Sequence, residues 1–252
     1  MRGFFSSAQK LYYGIGSVSI YLVTAALAGD WKTVIRRALG VKTFYRKAVS
    51  AGVTHYLTYY LDRELEDCNS VLDLGCGPNS WLQTGSTRYS VGVEVFEPDL
   101  KESMRKGLHT HYILADVRKI EFKESSFDAV LASEVIEHLT KEEGYALIEN
   151  MVRWARKKVI ISTPNGLVHP SQTRIDYSPY QQHLSGWNID ELKKLGFKVK
   201  GARGWRALRD HEGEIMRFKP EFFWQAISGL TALVLYNFPA YSVALFCVKT
   251  IS

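Results

Sequence analysis

From residue 70 onward, short runs of aliphatic and β-branched residues alternate with stretches whose apolar positions recur at helical spacing. The runs Val71–Leu74, Val91–Val95, Tyr112–Ala115, Phe127–Ala132 and Lys158–Ser162 read as strands, with helices over Asp99–Lys106 and Lys141–Arg156. Apolar strands separated by helices predict βαβ units and a parallel sheet buried on both faces, with right-handed connections. Asn188 suits the N-cap of a helix over 188–195, which leads into a sixth strand, Phe197–Ala202.

The ends of the chain depart from this rhythm. No charge occurs from Leu11 to Gly29, a length close to a bilayer span, but Tyr12, Tyr13, Gly14, Gly16, Ser17 and Ser19 dilute the segment. Lys32, Arg36, Arg37, Lys42, Arg46 and Lys47 follow, interleaved with Trp31, Ile35, Leu39 and Phe44. Residues 1–66 are therefore expected to form an N-terminal helical cap, facing the main domain and its substrate or touching anionic lipid. Phe222 to Val248 lacks Lys, Arg, Asp and Glu, yet Asn237 and Pro239 divide it. Pro220 fits the first turn of a helix reaching about Tyr236, and Tyr241–Val248 reads as a last strand. Residues 67–252 thus form the main α/β domain, with an apolar helical insertion at about 218–238.

Composition narrows the class. With 46% hydrophobic and 23% charged residues in 252, the chain is neither disordered, collagen-like nor a polytopic membrane protein. Its net charge of +6 admits anionic partners without requiring one. Cys68, Cys76 and Cys247 are odd in number and lack CxxC spacing, which argues against a disulfide scaffold or zinc module. No cleavable signal peptide is evident, and a cytoplasmic location is the expectation, with membrane association as the alternative.

The first strand runs into Val71-Leu72-Asp73-Leu74-Gly75-Cys76-Gly77-Pro78-Asn79. Closely spaced glycines after a parallel strand let a ligand approach the backbone, at the sheet edge where such folds bind ligands. Glu94 ends the next strand about 20 residues on, where a carboxylate can grip ribose hydroxyls. A dinucleotide or another adenosine cofactor would satisfy both features. The G-x-G-x-x-G fingerprint fails at Ser80, and no G-x-x-x-x-G-K-[ST] loop occurs.

Taken together, V-L-D-L-G-C-G-P, V-G-V-E, A-D-V and F-D-A-V-L-A-S-E-V-I-E-H-L resemble, in order and spacing, class I S-adenosylmethionine-dependent methyltransferases, nearest the small-molecule "type 11" kind. The resemblance spans roughly 70–205 and the last strand. It implies a Rossmann-like seven-stranded sheet, mostly parallel with an antiparallel last strand, and S-adenosylmethionine as methyl donor. It further implies that Asp73 and the Gly75-Cys76-Gly77 turn hold the methionine end and that Glu94 holds the ribose. Asp116 would face the adenine amino group, with backbone contacts from Val117, and Ala132-Ser133-Glu134 would line the sulfonium. Asn79 replaces a glycine frequent in the family, and its tolerance of positive φ should preserve the loop.

Glu134-Val135-Ile136-Glu137-His138 is the second constellation. In a helical turn beginning there, positions 134, 137 and 138 share a face that suits a cation site or an acid/base cluster. This E-x-x-E-H resembles the divalent-ion motif of ubiquinone-pathway O-methyltransferases and small-RNA 2′-O-methyltransferases. The resemblance adds His183 as a later ligand beside Glu134, Glu137 and His138, with Mg²⁺ as the ion. Glu134, His138 and His183 are the expected catalytic residues; without metal, His138 or His183 would serve as general base, or catalysis would rest on proximity alone.

The segment Pro164–Gln182 is the expected acceptor wall, with Asn165, His169, Gln172, Arg174, Asp176, Tyr177, Tyr180 and Gln181. Its mixture of polar and aromatic groups suits a polar small molecule or sugar. Arg203, Arg206, Arg209 and Arg217 surround Trp205, but no recognised RNA-binding module accompanies them, so nucleic acid ranks behind a small-molecule acceptor. His55, His109, His111 and His211 are assigned surface or core positions. The expected reaction is methyl transfer to an oxygen of a small-molecule, lipid-linked or sugar-linked acceptor. The alternatives are a membrane-associated enzyme of a lipid-linked substrate and a non-catalytic cofactor-binding module. No oligomeric state is implied.

Overall fold

The computed structural model describes residues 60–82, 89–168, 177–210 and 216–251. The chain divides into two units, Met1–Ala51 and Gly52–Ser252. The basic and uncharged segments of 11–47 lie outside the described residues.

Seven strands form one sheet in the order β3-β2-β1-β4-β5-β7-β6. They are β1 (Ser70–Leu74), β2 (Tyr89–Glu94), β3 (His111–Leu114), β4 (Phe127–Ser133), β5 (Ala155–Pro164), β6 (Lys198–Trp205) and β7 (Ser242–Thr250). The pairs β1–β2, β1–β4, β2–β3 and β4–β5 are parallel, whereas β7 runs antiparallel between β5 and β6. Strand order reverses between β1 and β4, the point at whose carboxyl ends open α/β sheets bind their ligands.

Alternation along the strands divides the core into two layers. Leu72, Leu74, Val91, Val93, Val130, Ala132, Val159 and Ile161 face one way. Val71, Ala129, Leu131, Ile160, Phe246 and Val248 face the other, against Leu61, Leu65 and Cys68 of the segment before β1. Both faces are covered, so the inner strands carry almost no polar position.

The helices start and stop on local chemistry. α1 (Glu97–Lys106) has Pro98 in its first turn and ends on Gly107 at φ 64°. α2 (Lys141–Trp154) opens with a capping box: Thr140 accepts from the Glu143 N–H, and the Glu143 side chain accepts from the Thr140 N–H. It buries Leu147, Ile148, Met151 and Trp154, spaced to form one face against the sheet. α3 (Ile189–Lys194) is capped by the Asn188 side chain, as the sequence predicts. α4 (Glu221–Leu235) fills the apolar stretch between β6 and β7. Among the described residues no helix is long and apolar enough to cross a membrane.

Candidate active site

Register aligns the strand ends. Leu74 of β1 lies beside Val93 of β2 and Ala132 of β4, while Ser133 lies beside Ser162 of β5. The glycine turn, Glu94, Asp116 and Ser133 therefore reach the same edge of the sheet.

In the turn after β1, Gly75 and Gly77 have φ of 65° and 54°. A Cβ on Gly75 would also stand 2.5 Å from Cγ2 of Val135, whereas nothing lies within 4 Å of one on Gly77. That open face suits close approach of a ligand to the backbone. Cys76 turns inward: its thiol is buried near Ser103, and its N–H donates to the Val93 carbonyl. It fixes the turn and offers no side chain to a ligand. Asn79 has no positive φ, so the expected conformational role is not needed. Lys106 of α1 instead ties the loop by donating to the Pro78 carbonyl and Asn79 Oδ1, both at 2.7 Å.

Glu94 is buried, and Oε2 accepts from the Gly77 N–H at 3.0 Å while Oε1 accepts from Val95 and Phe96, both at 2.9 Å. Its carboxylate thus links the ends of β1 and β2. Two oxygens with about four lone-pair sites retain capacity for ribose hydroxyls. Burial raises its pKa, against those three donors. Asp73 is 2% exposed and accepts from Ser80 Oγ at 2.5 Å. Burial lifts its pKa to about 7, opposed by Ser80 and reinforced by the charge of Glu94.

Asp116 follows β3 and is held by Arg118, whose backbone N–H, Nε and Nη2 all donate to it. That guanidinium also reaches Glu143 and holds the Asp116 pKa below the ordinary carboxylate value. Val117 packs into the core. Ser133 Oγ is buried without a hydrogen-bond partner at the end of β4.

The second constellation gathers three of its four residues. Glu137, His138 and His183 each offer a ligand atom, all within 4.8 Å of one another. Glu137 is 1% exposed; its Oε2 accepts from Thr163 at 3.0 Å, and its Oε1 has no hydrogen-bond partner. Burial raises its pKa well above the usual value, with Glu134 adding to the shift. Nδ1 of His138 meets the Gln182 carbonyl at 3.1 Å, and Nδ1 of His183 meets the Val168 carbonyl. A proton on each Nδ1 leaves the ligand lone pair on Nε2.

Glu134 is the correction to the expected set. No helix begins at 134: a 3₁₀ turn spans Ile136–His138, and Glu134 has φ 56°. Its side chain turns to Ser162 Oγ at 2.8 Å and Arg203 Nη1 at 3.0 Å. Arg203 also has positive φ, 62°, at an irregularity in β6 between Ala202 and Trp205. Such a bulge re-aims a side chain, and here it turns the guanidinium toward the end of β4.

The acceptor wall is partly visible. His169, Gln172, Arg174 and Asp176 lie outside the described residues. Asn165 is structural, donating from Nδ2 to the Pro239 and Ser242 carbonyls. Tyr177 donates to Asp99 at 2.8 Å and packs edge-on against Phe96, two residues beyond Glu94. Within the basic cluster, Arg203 pairs with Glu134, and burial, with the charge of Arg203 adding to it, lowers the pKa of Arg209. Sequence reasoning missed His109, buried 3.4 Å from Asp73, and the only trace of it is a glycine inside β2.

Residues 71–158 match the family model described as "Methyltransferase domain". A small RNA 2′-O-methyltransferase of Tetrahymena thermophila is 25% identical over 123 residues, 39% of this chain and 29% of that protein. A probable tRNA methyltransferase 9B of Mus musculus is 29% identical over 84 residues, 33% of this chain and 18% of that one. The chain thus spans less than a third of the length of these relatives. A methyltransferase from Archaeoglobus fulgidus superposes with TM-score 0.51 at 17% identity, over 78% of this chain and 94% of that one. The plantazolicin methyltransferase BpumL, solved with S-adenosylhomocysteine, gives TM-score 0.51 at 16% identity, over 94% and 99%. At these identities the structural likeness is one of fold.

Proposed function

Starting from a class I S-adenosylmethionine-dependent methyltransferase, we propose that this chain methylates a hydroxyl oxygen of a polar acceptor, with Glu137, His138 and His183 holding a divalent ion beside it. The observation that carries this is Glu137 Oε1, buried without a partner and grouped with two imidazoles. A buried carboxylate is costly unless a cation meets it. Two histidines and one carboxylate suit a transition ion better than Mg²⁺, which prefers oxygen ligands and retains its waters, so the expectation of Mg²⁺ is revised. When bound, the ion would lower the pKa of the acceptor hydroxyl.

When bound, S-adenosylmethionine would supply an activated methyl for in-line attack by the acceptor oxygen, the hydroxyl proton passing to solvent and the C–S electron pair to the departing S-adenosylhomocysteine. The leaving group is already activated, so the chain contributes chiefly orientation. In this reading Asp73 and the Gly75–Gly77 turn receive the methionine end, Glu94 the ribose, and Asp116 with Val117 the adenine. Ser133 borders the sulfonium. Glu134, tied to Ser162 and Arg203, positions the end of β4 beside the acceptor. One relative is named for 2′-O-methylation of small RNA, which agrees with a hydroxyl acceptor.

Calorimetric titration with S-adenosylhomocysteine, then with Co²⁺ followed by its visible absorption, tests both halves. Co²⁺ should bind wild type and lose at least tenfold in affinity in Glu137→Gln, with S-adenosylhomocysteine binding retained. Equal Co²⁺ binding by wild type and variant would end the ion reading. A second reading, peripheral membrane contact serving a lipid-linked acceptor, draws on Phe223, Phe238 and Tyr241, each at least half exposed in α4 and the turn after it. Failure to sediment with anionic liposomes at low salt would remove it.

A further inference from the structure

Asp73 stands opposite Gly92 in the parallel β1–β2 register, so both residues address the same face of the sheet. The space a side chain at Gly92 would take is filled by His109: a Cβ there would lie 2.5 Å from the imidazole Cδ2 and 3.0 Å from Cys76 Sγ. The His109 side chain is fully buried, its Nε2 is 3.4 Å from Asp73 Oδ2, and neither ring nitrogen has a hydrogen-bond partner. The ring is held from behind. The His109 N–H donates to the Tyr112 hydroxyl at 2.8 Å, that hydroxyl donates to the Ser103 carbonyl at 3.0 Å, and the Tyr112 ring packs edge-on at 5.5 Å.

Burial lowers the His109 pKa to about 4, so near neutral pH the ring is uncharged and carries one N–H. A proton on Nε2 faces Asp73 Oδ2, the oxygen that already accepts from Ser80. An unanswered buried donor is costly, and a shift of a few tenths of an ångström in the loop would close this contact to a hydrogen bond.

We propose that His109 is a positioning residue for the cofactor: its Nε2–H, with Ser80 Oγ, favours the ionised form of the Asp73 carboxylate and aims it at the α-ammonium of the methionine end. This rests on the assignment of Asp73 to that end of S-adenosylmethionine. The other groups facing Asp73 favour its neutral form or are themselves neutral. Glu94 on β2 adds a like charge, and the thiol of Cys76 in the glycine turn is kept protonated by burial. Lys106 of α1 is engaged with Pro78 and Asn79.

The test compares two probes by calorimetry: S-adenosylhomocysteine, and 5′-methylthioadenosine, which keeps the adenosine and thioether but lacks the amino-acid end. His109→Phe should weaken S-adenosylhomocysteine about tenfold near pH 7, as expected for one lost hydrogen bond to a charged group, and leave 5′-methylthioadenosine unchanged. The deficit should shrink as pH rises, because removing a donor to the carboxylate raises the Asp73 pKa. His109→Gln, which keeps an N–H donor, should stay within about threefold of wild type. Equal weakening of both probes, or of neither, would overturn the proposal. Asp73→Asn separates the layers. If it too spares S-adenosylhomocysteine, the assignment of Asp73 fails; if it weakens S-adenosylhomocysteine and His109→Phe does not, only the role of His109 fails. Should His109→Phe not fold, ¹⁵N-histidine spectra of wild type decide. His109 should appear as the Nε2–H tautomer and shift on adding S-adenosylhomocysteine, and an Nδ1–H tautomer would refute the proposal.

Discussion

Replacing Asp73 by Asn should stabilise the chain at alkaline pH while removing its affinity for S-adenosylhomocysteine. Burial raises the folded pKa of Asp73 from 3.8 to about 7. A carboxyl with a raised folded pKa binds more protons folded than unfolded, so its ionisation erodes stability as pH climbs from about 3.8 to 7. At 1.36 kcal/mol per pKa unit the erosion reaches about 4 kcal/mol by pH 8, but less than about 2 kcal/mol at pH 5. Asn carries no such term. It also weakens the bond from Ser80, but that loss is the same at both pH values and cancels in the comparison. Urea unfolding of wild type and Asp73→Asn without ligand, at about pH 5 and 8, reads the difference. The stability of the variant relative to wild type should improve by about 2–3 kcal/mol between those values. Parallel profiles would mean that Asp73 is ionised at little cost in the folded chain, and the electrostatic account of the cofactor end would be wrong.

Two further substitutions test single contacts. Gly75→Ala must hold φ 65° and force Cβ to 2.5 Å from Val135; backbone strain and overpacking together should cost about 3 kcal/mol, roughly 6–12 °C in Tm by scanning calorimetry. An unchanged Tm would contradict the packing of the turn. Arg118→Ala releases Asp116 from two guanidinium donors, Nε and Nη2, and keeps the backbone N–H, so S-adenosylhomocysteine should bind as tightly as before or up to about threefold tighter if Asp116 meets the adenine. A loss of tenfold or more would assign that contact to Arg118.

What could be read from the sequence was what local chemistry decides. The inner strands declare themselves because burial on both faces removes polar residues, and Asn188 caps α3 with its own side chain. The shape of the Glu137, His138 and His183 cluster was not local. Glu134-Val135-Ile136-Glu137-His138 has helical spacing, yet the Glu134 N–H donates to the Ser162 carbonyl and so extends the β4–β5 ladder one residue too far for a helix to start. The Ile136 carbonyl is then taken by Ser185 Oγ and Trp187 Nε1, groups about fifty residues away. Likewise, no pattern within a dozen residues of His109 couples it to Asp73. Gly92 is the one local mark, since a glycine inside a strand signals close approach of another group.

The two sides of the proposed site obey the same electrostatics. Asp73 and Glu137 are both buried acids whose pKa is raised chiefly by desolvation, and each has a second carboxylate adding to the shift, Glu94 for one and Glu134 for the other. Each accepts one hydroxyl hydrogen bond, from Ser80 or Thr163, which is too little to offset removal from water. On the proposed reading a cation would correct the imbalance in both places: an ammonium at Asp73, a divalent ion at Glu137. Both affinities should therefore strengthen as pH rises, because each cation must displace a proton from its acid. Arg203 keeps the two sides unequal. By taking Glu134, it reduces the negative charge around Glu137, and the cluster is left suited to one divalent ion held by two neutral imidazoles and a single carboxylate.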